Sequence, residues 1–297
     1  MSDSCPACRT TRSRTAMQVR HFQFRRCTAC KTLFLSEPPD AEQLHTLYAD
    51  ERYFVNPEFA EPEADGFHGY LDYIKDRDHI EHKFAGIFAR IEREVAPGKL
   101  LDVGAGPGFL LSAAERRGWS PLGLEINQWA ADYARRELGV EMIASSIQDA
   151  DLAAMSFDAV TMMDVIEHVP DPDVLVAAAT ELLRPGGVLA ILTADAGSPV
   201  SRMLGGRWPE VKRAPEHLVL FSISGLKAML GRHNLEVLGS HSVGKESSIA
   251  TLLADVTPVA PAIGRPLHRL AERSRFGNRT FELDSRTKFC LYARRLG

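Results

Sequence analysis

Hydrophobic and polar positions follow two periods along this chain, and each is typical of one kind of folded element. Between residues 70 and 95, apolar side chains recur at helical spacing until Pro97-Gly98 ends the pattern. The apolar positions of this predicted helix are Tyr73, Ile74, Ile80, Phe84, Ile87, Phe88 and Ile91. From residue 99 onward, short apolar runs alternate with helical patterns, as in proteins built on a parallel sheet. The pattern therefore predicts an α/β fold preceded by a helical segment.

Four of the five cysteines lie within the first 30 residues. They form two Cys-x-x-Cys pairs with 18 residues between them, namely Cys5, Cys8, Cys27 and Cys30. In a reducing compartment this spacing favours one tetrahedral zinc tetrathiolate, with a dithiol redox pair or disulfides as alternatives. Because protein ligands would fill all four positions, the predicted Zn²⁺ is structural. Cys290 stands alone in an apolar stretch and is expected in the core.

The charge of the chain is unevenly distributed. The 297 residues are 45% hydrophobic and carry 35 Lys and Arg against 39 Asp and Glu, a net charge of −4. Residues 1–40 carry +4, residues 261–297 carry +6, and the part between them carries −14. The near-neutral total argues against nucleic acid as the main partner. No apolar run approaches the roughly 20 residues of a membrane span, and the first residues lack a signal-peptide core, so a cytoplasmic protein is expected.

A glycine-rich turn follows the strand predicted over residues 99–103 and precedes a helix predicted over residues 109–117. Its sequence is Gly104-Ala105-Gly106-Pro107-Gly108. Glycine lets the backbone come close to a ligand, and the start of the following helix offers free N–H groups. The turn therefore predicts a cradle for a cofactor.

An acidic residue ends the next predicted strand, over residues 121–125. Glu125 follows Asp102 by 23 residues. A carboxylate at the tip of this strand typically accepts hydrogen bonds from ribose hydroxyls. Together with the glycine turn, Glu125 predicts a nucleoside cofactor.

The residues around the glycine turn resemble a known family. Asp102 stands two residues before the first glycine, and the pattern Asp-x-Gly-x-Gly-x-Gly resembles motif I of class I S-adenosylmethionine-dependent methyltransferases. Residues 157–172, FDAVTMMDVIEHVPDP, are similar to the family's segment FDxVxxxDVxEHVxDP. The resemblance covers about residues 99–240, within which residues 140–146 look like the third strand and residues 182–193 resemble the helix, turn and strand that follow. It implies S-adenosyl-L-methionine as the cofactor and a Rossmann-like, seven-stranded, doubly wound sheet, with an antiparallel last strand expected over residues 288–294.

The resemblance also implies roles for individual residues. Asp102 would order the glycine loop, Glu125 would hold the ribose, and Asp164 would face the transferred methyl group. The other cofactor contacts that it implies are Gly104, Ala105, Gly106, Gly108, Ile126, Ser146 and Ile147. Separately, the neighbouring glycines Gly66 and Gly69 suggest that Tyr70 belongs to a lid over the cofactor, with Tyr73 either in that lid or in the buried stripe of the helix.

The sulfonium of the cofactor already activates its methyl group for transfer. The protein therefore has to position the acceptor and, for some acceptors, remove a proton. No nucleophilic side chain or catalytic metal is expected. His168, one helical turn beyond Asp164, and His217, within Ala214-Pro-Glu-His-Leu218, are the candidate bases. Structural roles are equal alternatives, with His168 packed at a helix start and His217 hydrogen-bonded to the backbone. Asp164, His168 and His217 are therefore the catalytic candidates.

Three parts are expected: a zinc ribbon over residues 1–37, a helical connector or lid over residues 38–97, and a methyltransferase domain over residues 98–297. A zinc ribbon before this fold resembles bacterial methyltransferases of natural-product or cell-surface sugar biosynthesis. The expected partner is a small or carrier-linked metabolite, methylated at oxygen, nitrogen or carbon. An RNA base methyltransferase and a non-catalytic zinc-ribbon binding module are the alternatives.

Overall fold

The computed structural model describes residues 4–49, 53–54, 74, 77–248 and 280–297. The strands are β1 (Ser13–Val19), β2 (Phe22–Cys27), β3 (Leu33–Leu35), β4 (Lys99–Val103), β5 (Ser120–Leu124), β6 (Met142–Ile143), β7 (Phe157–Met163), β8 (Leu183–Ala194), β9 (Val219–Leu220), β10 (Leu235–Ser242), β11 (Lys245–Ser248), β12 (Thr280–Leu283) and β13 (Lys288–Arg295). The α-helices are α1 (Ala41–Ala49), α2 (Arg77–Glu94), α3 (Phe109–Glu115), α4 (Gln128–Tyr133), α5 (Pro172–Leu182), α6 (Pro199–Leu204), α7 (Pro209–Lys212) and α8 (Ile223–Leu230). Tyr70, Tyr73 and residues 261–279 of the basic C-terminal run lie outside the described residues.

The larger sheet has seven strands in the order β10-β13-β8-β7-β4-β5-β6. Strands β8, β7, β4, β5 and β6 run parallel, whereas β13 lies antiparallel between β8 and β10. The carboxyl ends of β4 and its neighbours therefore meet at one edge, where open α/β sheets bind ligands. This topology confirms the Rossmann-like, seven-stranded sheet, including its antiparallel last strand.

Two elements differ from their predicted extents. The third strand, expected over residues 140–146, is reduced to β6, because only Gly123 and Leu124 of β5 pair with it. Strand β8 is assigned from Leu183, directly after α5, but residues 184–187 contain the turn expected at Pro185-Gly186-Gly187, where Gly186 has a φ of 83°. The register against β7 shifts between Phe157 and Ala159, which absorbs these additional residues.

Helices α2 and α3 cover one face of the large sheet. Phe88 and Ile91 of α2 pack with Phe109 of α3 and with Leu100 of β4, all of them buried. Cys290 of β13 lies in the same layer, fully buried, as expected for a core residue. No described helix, α2 included, is long and apolar enough to cross a membrane.

Helix α1 begins with reciprocal hydrogen bonds at its first turn. Asp40 Oδ1 accepts from the Gln43 N–H at 2.8 Å, and Gln43 Oε1 accepts from the Asp40 N–H at 3.0 Å. This capping box fixes where the helix starts. The same helix carries Tyr48, which hydrogen-bonds to His168.

The cysteine-rich segment docks on the rest of the chain through a shared sheet. Its order is β1-β2-β3-β9, and Phe34 of β3 pairs with Val219 of β9. Polar contacts reinforce the docking, since Arg9 pairs with Asp173 at the start of α5 at 2.6 Å, and Arg232 donates to the Ala7 carbonyl at 2.8 Å. The predicted division at residues 37 and 97 stays a prediction.

Candidate functional site

The glycine loop leaves β4 in a backbone conformation that side chains disfavour. Gly104, Gly106 and Gly108 have φ values of 69°, 52° and 85°. A Cβ on Gly104 would lie 2.5 Å from Val165 Cγ2, and one on Gly108 would lie 2.9 Å from Ala134 Cβ. The N–H groups of Gly104 and Ala105 donate to the Leu124 carbonyl at 2.8 and 2.9 Å, which ties the loop to the end of β5. Glycine is therefore required here both for backbone conformation and for space.

Glu125 lies directly against this loop and is only 7% exposed. Its Oε2 accepts from the Gly106 N–H and its Oε1 from the Asn127 N–H, both at 2.8 Å. Burial raises the pKa of Glu125, and the two N–H groups oppose that rise. The carboxylate is thus held in one orientation, with further lone pairs on each oxygen.

Asp102 lies beneath the loop within β4 and is 2% exposed. Its Oδ1 accepts from the Thr161 hydroxyl at 2.6 Å. Burial raises its pKa to about 7, against the opposing Thr161 hydrogen bond, and the charge of Glu125 raises it further. This carboxyl is buried and hydrogen-bonded within the sheet, and its role in ordering the loop stays a prediction.

Phe54, which precedes α2, lies against the glycine loop. Phe54 Cε1 lies 3.5 Å from the position of a Cβ on Gly106, and its ring stacks on Trp129 at a centroid distance of 6.3 Å. The Asn127 amide donates to the Tyr48 carbonyl at 2.8 Å, which attaches this segment to the end of β5. The sequence pattern did not single out Phe54 or Trp129, because aromatic residues at these positions are equally consistent with core packing.

The remaining predicted cofactor contacts follow β5 and β6. Ile126 is half-buried beside Glu125, and Ile147 is buried after β6. The Ser146 hydroxyl donates to Asp149 at 2.6 Å. These residues lie at the same carboxyl edge of the sheet as the glycine loop, and their contact with a cofactor stays a prediction.

Asp164 follows β7 and forms ion pairs with two lysines from distant parts of the chain. Lys288 Nζ lies 2.8 Å from Oδ1, and Lys83 Nζ lies 3.4 Å from Oδ2. Burial alone would raise the pKa of Asp164, but the charges of Lys288 and Lys83 outweigh it and hold the pKa well below its usual range. Asp164 is therefore an anion fixed between two cations.

His168 and His217 meet edge to face, with ring centroids 4.6 Å apart. Tyr48 Oη lies 2.8 Å from His168 Nδ1, and His217 Nδ1 lies 3.1 Å from the Glu210 carbonyl. Burial lowers the pKa of both imidazoles well below the usual value, and the charge of Arg213 contributes to both shifts. Both rings are thus neutral near neutral pH. The structure brings these two predicted bases together, on the Asp164 side of the site.

Glu167, which the sequence analysis did not identify as a site residue, lies together with His168 and His217. It is 1% exposed, and its Oε2 has no hydrogen-bond partner within the described residues. Burial, and then the charge of Asp164, raise its pKa to about 8. Its position inside the matched segment DVIEH was the available signal.

A family model described as a methyltransferase domain matches residues 75–239, more than half of the chain. The chain belongs to this methyltransferase-domain family. The match includes the glycine loop, Glu125, Asp164 and both histidines. It confirms the resemblance found in the sequence.

Curated relatives of this methyltransferase-domain protein are similar over part of their length. A ubiquinone biosynthesis O-methyltransferase from Hahella chejuensis is 37% identical over 109 residues, 34% of this chain and 46% of that protein. Another, from Methylococcus capsulatus, is 32% identical over 148 residues, 46% of this chain and 62% of that protein. The chain spans about half the length of the curated relatives it matches.

A solved methyltransferase shares the fold. The geranyl diphosphate C-methyltransferase from Streptomyces coelicolor A3(2) superposes with a TM-score of 0.53 and 16% identity, covering 88% of this chain and 100% of that one. At this identity the likeness concerns the fold alone.

The four N-terminal cysteines of the methyltransferase-domain protein converge at one point. All are free thiols, and their sulfur atoms lie within 4.8 Å of one another. The Sγ atoms of Cys5 and Cys30 are 3.6 Å apart, as are those of Cys8 and Cys27. Zn–S bonds of about 2.3 Å in a tetrahedron place sulfur atoms about 3.8 Å apart. The donor set and its spacing therefore fit Zn²⁺.

Proposed function

We propose that this protein transfers a methyl group from S-adenosylmethionine to a hydroxyl oxygen of a small-molecule acceptor. The observation that carries the proposal is the placement of Glu125 against the glycine loop, at the sheet edge that also holds Asp164 and the two histidines. The names of the curated relatives, which are O-methyltransferases, support oxygen as the methylated atom.

The cofactor side of the site fits a nucleoside with a charged amino-acid tail. When bound, S-adenosylmethionine supplies an electrophilic methyl carbon on a sulfonium, which becomes a neutral thioether on transfer. Glu125 accepts hydrogen bonds from the ribose hydroxyls. The backbone at Gly104 and Gly106, which a ligand can approach closely, faces the amino-acid tail of the cofactor. Phe54 and Trp129 exclude water from this side.

The acceptor side lies next to Asp164. Lys83 and Lys288 hold Asp164 ionised and oriented. The neutral imidazoles of His168 and His217 accept the proton that the acceptor hydroxyl loses. Holding the two reactants in line supplies most of the catalysis, up to about 7–11 kcal/mol of the barrier. The residues of the site therefore position the reactants and handle one proton.

The cysteine site has a structural role in this proposal. Four thiolates leave no open position on Zn²⁺, and Cys30 lies at the interface with the larger part, where its carbonyl accepts from the Ser224 hydroxyl at 2.8 Å. Zinc would thus hold the β1–β3 segment in shape for docking.

Transfer of isotopically labelled methyl groups tests the proposed function. The protein is incubated with methyl-labelled S-adenosylmethionine and, separately, a small-molecule extract, total RNA and total protein, with Glu125→Ala as the inactive control. We expect Glu125-dependent label in hydroxylated small molecules. Label in RNA would support the alternative of a base methyltransferase, and label in none of the fractions would contradict methyl transfer.

A further inference from the structure

Glu167, His168 and His217 form a cluster that the proposed function uses only in part. One carboxylate oxygen of Glu167 and one ring nitrogen from each histidine lie within 4.8 Å of one another. Three ligand atoms bound to one ion at about 2.0–2.2 Å lie about 3.3–3.8 Å apart. A contraction of the cluster by about 1 Å therefore brings all three within reach of a single cation.

Hydrogen bonds outside the cluster determine which nitrogen of each histidine carries a proton. His217 Nδ1 faces the carbonyl of Glu210, an acceptor, so Nδ1 is protonated and Nε2 keeps its lone pair. The Tyr48 hydroxyl donates its proton to the Glu216 carbonyl at 3.1 Å, so toward His168 it can only accept. The proton of His168 therefore lies on Nδ1, and Nε2 of His168 is unprotonated. Metal-binding histidines are typically oriented by such a bond from the other nitrogen.

Among the described carboxylates around the cluster, Glu167 forms no direct ion pair, although the charge of Lys288 opposes the rise of its pKa. Asp164 pairs with Lys288 and Lys83, and Glu216 pairs with Arg213 at 2.8 Å. Glu210 lies 3.4 Å from the His217 ring. The buried Oε2 of Glu167 has no partner among the described residues. A buried polar atom without a partner is costly, which marks a place for a ligand that the protein itself does not supply.

We infer that Glu167, His168 and His217 bind one divalent transition-metal cation, in addition to the zinc expected at the cysteines. Two imidazoles and one carboxylate suit Zn²⁺, Mn²⁺ or Fe²⁺ and leave coordination positions open. The sequence alone predicted no catalytic metal, because a histidine pair separated by 49 residues matches no short ligand spacing.

The role of the cation rests on the proposed function. An acceptor hydroxyl bound at an open position loses its proton to water, because the cation lowers the pKa of a coordinated hydroxyl. The resulting oxyanion forms a bond to the methyl carbon as the carbon–sulfur bond breaks, giving a methyl ether, a thioether and one proton. In this case the two histidines bind the cation instead of acting as bases, and the acceptor hydroxyl loses its proton because it is bound to the cation.

Titration of the zinc-loaded, full-length protein with Mn²⁺, followed by electron paramagnetic resonance, tests the inference. Mn²⁺ is suited because it prefers oxygen and nitrogen ligands and discriminates against the thiolate site. We expect one bound Mn²⁺ per chain, with spin-echo modulation from directly coordinated imidazole nitrogen. Glu167→Gln and His217→Ala should each weaken binding by at least about 100-fold. His21→Ala, at an exposed histidine, should leave it unchanged.

The nitrogen modulation is measured on the unaltered protein, so it decides the question even where a variant fails to fold. Absence of bound Mn²⁺, or bound Mn²⁺ without nitrogen modulation, would overturn the inference. Calorimetry with S-adenosylmethionine and the label-transfer assay, each with and without a chelator, separate the two proposals. Full methyl transfer after chelation would contradict the inferred cation and leave the proposed methyl transfer in place. A bound cation without any transfer would keep the metal site and contradict the proposed function.

Discussion

Glu125 accepts a hydrogen bond from the backbone N–H of Gly106, and this 2.8 Å contact joins the tip of one parallel strand to the loop that leaves the next. The two residues come from different strand–loop units, so the bond exists only when the large sheet has formed. Through this contact the folding of the sheet determines the geometry of the cofactor side.

Replacing Glu125 by Ala should remove most of the affinity for S-adenosylmethionine. Hydrogen bonds to a charged group contribute about 1.5–3 kcal/mol each, so we expect Kd to rise at least about tenfold. Isothermal titration calorimetry measures this directly. Glu141→Ala, at an exposed glutamate directly before β6, is the matched control and should bind like the wild type.

Replacing Gly104 by Ala should destabilise the protein more than the same change at Gly139. Both glycines have a φ of 69°, so the backbone penalty of about 1–2 kcal/mol is shared. Only at Gly104 would the new Cβ lie 2.5 Å from a neighbouring atom, while Gly139 has nothing within 4 Å. Urea unfolding should therefore show a larger loss of unfolding free energy for Gly104→Ala, and equal losses would mean that the loop is not tightly packed.

Removing Lys288 should destabilise the protein in a way that depends on pH. Asp164 has a lowered pKa and Lys288 a raised one, so their pairing contributes above the unfolded carboxyl pKa of about 4 and below the unfolded lysine pKa of about 10. Lys288→Met should cost about 3 kcal/mol at pH 7. The cost should fall as the pH drops below 4, toward the lowered pKa of Asp164.

Arg294→Met, on the same strand, is the control for this experiment. Its partner Glu94 lies 2.5 Å away in a solvent-accessible pair. Such pairs contribute about 1 kcal/mol or less. A cost for Lys288→Met no greater than this, or one independent of pH between 3 and 7, would contradict the ion pair described for Asp164.

Replacing Cys27 by Ser should release zinc and loosen the N-terminal sheet. Zinc content by atomic absorption should fall from the wild-type value, and proteolysis should begin within the first 37 residues. Cys290→Ser, at the cysteine that lies in the core layer away from the other four, should retain its zinc. Unchanged zinc content in Cys27→Ser would rule out the tetrathiolate.

The local parts of the site were predictable from the sequence, while contacts between distant segments were not. Strand β4, the glycine turn and Glu125 follow from a short pattern whose chemistry depends on neighbours in the chain. Lys83 and Lys288 lie 81 and 124 residues from Asp164, and no periodicity indicates that their side chains meet there. The Tyr48–His168 contact bridges 120 residues, and its effect on the tautomer follows only from the geometry.

The predicted length of the third strand of the large sheet, β6, was wrong for a different reason. The family resemblance implied a longer third strand, over residues 140–146, yet an edge strand extends only as far as its partner pairs with it. Its length is thus a property of β5 as much as of its own sequence.

Binding of S-adenosylmethionine by the glycine loop and Glu125 is measured by calorimetric titration of the full-length protein with this cofactor and with NAD⁺. We expect saturable binding of one S-adenosylmethionine per chain and no binding of NAD⁺. Binding of NAD⁺ in its place, or no binding of S-adenosylmethionine by folded, zinc-loaded protein, would contradict it.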